Sequence, residues 1–139
     1  IDWNKGEAKS GELVFQKKSC FRCHGDQRRL GPDLTGAAQR FSRDDLFTAI
    51  IEPSKDIAPA FRATTVITTS GKVHSGMEIY TSPQLILLQT TPDITVRISS
   101  EEMQVVQPST VSWMPSGLID DLNDAEIAHL YAYLKTLKK

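Results

Sequence analysis

The sequence predicts a mainly α chain, α+β overall, in which helices at either end flank a small inserted antiparallel β-sheet. Three observations predict it. Residues 124–138 carry apolar side chains at helical spacing. Residues 6–18 and 43–51 read as two further helices, and between residues 60 and 108 the composition turns to Val, Ile, Thr and Tyr.

The last helix is the clearest. Asn123 can cap it, and Glu126 three residues on completes a capping box. Ile127, Leu130, Leu134 and Leu137 form its apolar stripe, with Tyr133 alongside. Lys135, Lys138 and Lys139 stand at the end where the helix dipole favours positive charge. The first helix offers Leu13, Val14 and Phe15. The middle one offers Leu46, Phe47, Ile50 and Ile51, can be capped by Ser42, and stops before Pro53. In the β-rich stretch, Ser70-Gly71, Ser82-Pro83 and Pro92-Asp93 fall at strand-length intervals, which suggests a meander of about five short strands. A single domain over 1–139 is expected: helices to about residue 60, a β insertion at about 61–108, then an irregular loop and the last helix at about 109–139.

The chain's 139 residues can bury a core without staples. A net charge of −1, with few adjacent basic residues, gives little support to nucleic-acid binding. No apolar run approaches the roughly 18 residues of a membrane span. The sequence opens on Ile1-Asp2-Trp3-Asn4 without a signal peptide, as expected of a processed chain or an excised domain.

Both cysteines and one of three histidines lie in "CFRCH", Cys20 to His24. Such a cluster has four uses. A structural zinc site needs four ligands and would have to recruit His74 and His129 at irregular separations. A redox dithiol should follow a strand in a βαβ unit, whereas a helix precedes this one. The third is a disulfide, which would constrain the unfolded chain little by closing so short a loop, or two thiols that merely sit near a histidine. The fourth use is covalent haem attachment, C-x-x-C-H: two thiols spaced to meet the two vinyl groups, and a histidine aimed at the iron.

The surroundings suit the fourth use. "GPDL" follows, and a turn at Gly31-Pro32 can present a backbone carbonyl to the imidazole Nδ1–H, fixing the tautomer. Downstream, "SWMPSGL" sets Met114 before a proline in an irregular loop, which suits a soft sixth ligand. Met77, Met103, His74 and His129 are the other candidates. Met77 and Met103 lie in strand-like sequence, and His74 and His129 read as solvated surface histidines. Arg28, Arg29, Arg40 and Arg43 read as surface charges, any of which can pair with a haem propionate.

With "VFQKKSCFRCHG", "GPDL", "WMP" and "IAHLYAYLK", the chain resembles class I cytochrome c. It is also similar to the narrower group of Pirellula/Verrucomicrobium-type (planctomycete-like) haem-binding domains, through "IIEPSKDIAPAF", "TSGKVHSG" and "MPSGLIDDLNDAEIAHLYAYL". The resemblance implies a cytochrome c fold around one covalent haem c. It implies thioether bonds at Cys20 and Cys23, iron ligation by His24 and Met114, and a crossing of the first and last helices near Phe15 and Tyr133. Trp113 is less expected; it can touch a haem edge or propionate, or simply pack.

The resemblance further implies a one-electron carrier, not an enzyme, exchanging electrons with a redox partner such as a fused or associated periplasmic dehydrogenase, and itself not inserted in a membrane. A haem enzyme or small-ligand sensor with a labile sixth ligand is the alternative. A structural module using the sheet as its binding surface ranks third. Thioether formation outside the cytoplasmic membrane implies a periplasmic or exported location.

Overall fold

The computed structural model describes residues 1–25 and 30–138. Arg28, Arg29 and Lys139, singled out above, lie outside the described residues. Five α-helices are described: α1 (Ala8–Lys17), α2 (Phe21–His24), α3 (Ala37–Arg40), α4 (Arg43–Ile51) and α5 (Asp124–Thr136). Five strands follow α4: β1 (Thr64–Thr68), β2 (Val73–Thr81), β3 (Leu85–Thr91), β4 (Ile94–Ser99) and β5 (Met103–Pro108).

This architecture corrects the expectation of a mainly α cytochrome c fold. Among the described residues 25% are in strands and only 37% in helices, and α2 and α3 are single turns. The β-branched stretch has a core of its own, Val66, Ile86, Leu88 and Ile98, with Val96 and Met103 against it. A sheet that buries such a core is a compact body, not an appendage to helices. By its internal contacts the chain falls into two units: residues 1–55 with 115–139, and residues 56–114.

The sheet is antiparallel throughout, in the order β4-β3-β2-β1-β5. Four strands run as a meander, but the fifth returns to pair with β1 at the opposite edge, so the simple meander suggested by turn spacing is also corrected. Nine-residue β2 spans both halves: Val73 to Gly76 pair with β1, and Met77 to Thr81 with β3. On β3 the buried residues alternate, Ile86 and Leu88 facing the core.

The helical unit is organised by α1 against α5. Val14, Phe15, Leu130 and Leu134 lie in one buried cluster with Ala37, Leu46, Phe47, Ile119 and Leu122. The rings of Phe15 and Tyr133 are 5.2 Å apart. Asn123 and Glu126 form the full capping box of α5, and Ser42 Oγ accepts the Asp45 N–H to cap α4. The start of α1 has no side-chain cap of its own; His129 Nδ1 accepts the Glu7 N–H at 2.9 Å instead. His129, read from sequence as a solvated histidine, thus ties α5 to the first turn of α1. Its accepting Nδ1 places the proton on Nε2.

Candidate haem site

The cysteines and His24 are set by how α1 ends. Ser19 takes the left-handed conformation (φ 61°), its N–H bonds Gln16 O at 3.0 Å, and the Cys20 N–H bonds Phe15 O at 3.1 Å. This is a Schellman arrangement with serine where glycine is usual. It stops α1 and turns the chain straight into α2. There the Cys23 and His24 N–H groups both point to Cys20 O, at 3.3 and 3.0 Å. One helical turn therefore carries both sulfurs and the imidazole.

The chain then closes over the imidazole. The Gly31 N–H donates to Cys23 O at 2.9 Å, and Pro32 O lies 2.8 Å from His24 Nδ1. A carbonyl only accepts, so Nδ1 carries the proton and Nε2 keeps its lone pair for a metal. Gly31 permits this approach: a Cβ there would stand 2.8 Å from His24 Cε1 and 3.0 Å from Nδ1. Sequence reading found Pro32 by its turn but missed Gly31, because only the folded chain shows what a methyl group would strike.

Both cysteines are free and half-buried, and burial pushes both thiols up from the ordinary cysteine value. The donor set of two thiols and an imidazole with its Nε2 free, on one turn, fits covalent haem attachment. Among the described residues, no group of three or more His, Cys, Asp and Glu side chains is gathered as a metal cluster of their own.

The remaining candidates are divided between the two units. Met114 and Trp113 belong to the sheet unit, His24 and the cysteines to the helical one. The Met114 N–H donates to Ser112 Oγ at 3.1 Å, and the Trp113 indole N–H donates to Thr90 O at 3.3 Å. His74 and Met77 lie on β2, and Met103 opens β5. Arg40 Nη1 donates to Thr35 O at 3.0 Å. The Arg43 guanidinium lies 4.5 Å over the Trp3 ring, with its Nε 3.5 Å from Asp44 Oδ1, a loose contact. No helix among the described residues is long and apolar enough to cross a membrane.

Comparison with known families bears on this geometry. Residues 6–69 match the family model described as cytochrome c oxidase, cbb3-type, subunit III. The matched stretch contains the Cys20–His24 turn, Gly31 and Pro32, and leaves out Met114 and α5. No curated protein matches the chain. The match supports a c-type cytochrome: an electron carrier with covalently bound haem and iron, working with a redox partner.

Proposed function

We propose that the chain carries single electrons through one haem held by Cys20, Cys23, His24 and Met114. The observation that carries this reading is the α2 turn, with the His24 Nδ1–H bonded to Pro32 O at 2.8 Å. In such a site Cys20 and Cys23 anchor the porphyrin by thioether bonds. His24 presents Nε2 as the proximal ligand, and the Pro32 carbonyl makes that nitrogen more basic and holds its ring plane. Bound there, haem supplies reversible one-electron chemistry between ferric and ferrous iron.

Met114 as the second ligand rests on sequence: a thioether in a proline-stiffened loop. A methionine ligand favours ferrous iron relative to a second nitrogen and keeps the coordination the same in both oxidation states, so little rearranges on transfer. The Pirellula/Verrucomicrobium type belongs to the same reading, supported by the "MPSGL" and "TSGKVHSG" stretches. So do a periplasmic or exported location and a dehydrogenase, fused or associated, as electron donor. We also read the whole of 1–139 as one functional domain, the sheet being its insertion.

The test is the absorption spectrum of the purified holoprotein, oxidised and dithionite-reduced, with and without carbon monoxide. Sharp low-spin ferrous bands, a far-red sulfur-to-iron band when oxidised, and indifference to carbon monoxide are expected. Rapid carbon monoxide binding by the wild type would replace the carrier with the labile-ligand sensor. A protein without haem after expression beside maturation machinery would end both.

A further inference from the structure

β3 is interrupted near its end. Its register with β4 pairs Gln89 with Thr95 and then Thr91 with Ile94, so Thr90 is the extra residue of a bulge. Its pairing with β2 also ends at Gln89, opposite Met77. A residue dropped from the ladder leaves its carbonyl in need of another donor. That donor is the indole N–H of Trp113, 3.3 Å from Thr90 O and 23 residues along the chain.

The segment that Trp113 closes runs along a cleft. Residues 109–113 line an open cleft of about 350 Å³ together with Ala63, Thr65 and Ser75. A loop beside a cleft lacks a packed backing, so its place depends on its tethers. Two of these stand at its ends: the Ser109 N–H donates to Ala63 O at 2.8 Å, and Trp113 donates to Thr90 O. Met114 follows the second tether directly.

We propose that Trp113 is a positioning residue, its indole N–H seated on the bulged Thr90 carbonyl, that holds the Met114 thioether ready for the iron. This rests on the reading of Met114 as sixth ligand. The sheet then has a stated part in the electron carrier, because a bulge in β3 governs how firmly the distal methionine is held.

The experiment compares wild type, Trp113→Phe and Met114→Ala holoproteins. In Trp113→Phe, which keeps a ring and loses the N–H, the share of molecules with methionine detached should rise roughly fivefold, the size of one ordinary hydrogen bond. The readouts are faster carbon monoxide binding and a weaker far-red sulfur-to-iron band, with amide exchange quickening across residues 109–114. Unchanged spectra, carbon monoxide kinetics and exchange in Trp113→Phe, with Met114→Ala strongly altered, would overturn the positioning role and leave Met114 as ligand. A Met114→Ala protein indistinguishable from wild type would instead overturn the ligand reading on which the role rests. Should Trp113→Phe not fold, the wild type decides: a slowly exchanging Trp113 indole proton supports the tether, and one exchanging as fast as free tryptophan overturns it.

Discussion

Gly11 of α1 lies directly against the backbone carbonyl of His129 in α5, so closely that a Cβ on Gly11 would overlap the carbonyl oxygen and crowd the Tyr133 Cβ. Two effects compete on replacing it by alanine. Helix propensity would gain up to about 1 kcal/mol. The overlap, however, falls on backbone that no rotamer change can move, and such overpacking costs about 1–3 kcal/mol or more. Steric cost wins. Gly11→Ala should lower stability by about 2 kcal/mol in urea unfolding of the holoprotein, and an unchanged midpoint would contradict the close crossing.

Ser19 makes the opposite case. It occupies a left-handed position next to Cys20, with φ 61°. That conformation costs an L-residue about 1 kcal/mol, and glycine enters it without the penalty. Ser19→Gly should therefore stabilise the protein by up to about 1 kcal/mol, less the greater entropy of glycine in the unfolded chain. Thermal unfolding reads this, and a clear loss of stability would mean that the serine side chain contributes more than its strain removes.

Asp121 gives the fold a pH dependence. Its carboxylate accepts a hydrogen bond from the Lys18 ammonium, which holds its pKa below the ordinary carboxylate value. The unfolded chain thus takes up this proton at a higher pH than the folded one. The contribution is present above about pH 4 and is lost as pH falls through the depressed folded value. Asp121→Asn should lose this contribution at neutral pH, a small loss since the carboxylate is exposed, and converge with the wild type in acid, so that its acid limb is the shallower. Identical acid limbs in the two proteins would rule the pair out as a contributor.

What could be read from the sequence was local. The Ser42 cap, the Asn123–Glu126 box and the single-turn geometry of Cys20 to His24 depend on residues within a few positions of one another. Pro32 was legible because the Gly-Pro turn lies only eight residues from His24. What stayed hidden joins distant segments. His129 at the start of α1 is 122 residues from Glu7, and the indole of Trp113 meets a bulge that hydrophobic alternation does not announce. The return of β5 to β1 belongs to the same class. The balance of helix to strand was misjudged because strong helical signals at both ends outweighed β-branched residues whose core forms only when the strands pair.

The division into units also carries a consequence for how the chain folds. Residues 56–114 are continuous, and their strands join mostly through neighbours, the local topology that favours early folding. The helical unit is split: α1 waits for α5, and the gap between them must close at an entropic cost that grows with the logarithm of the free chain length. A sheet formed first removes its residues from that free length. The insertion that interrupts the helical unit in sequence would then speed its completion, because α1 and α5 have less free chain to close.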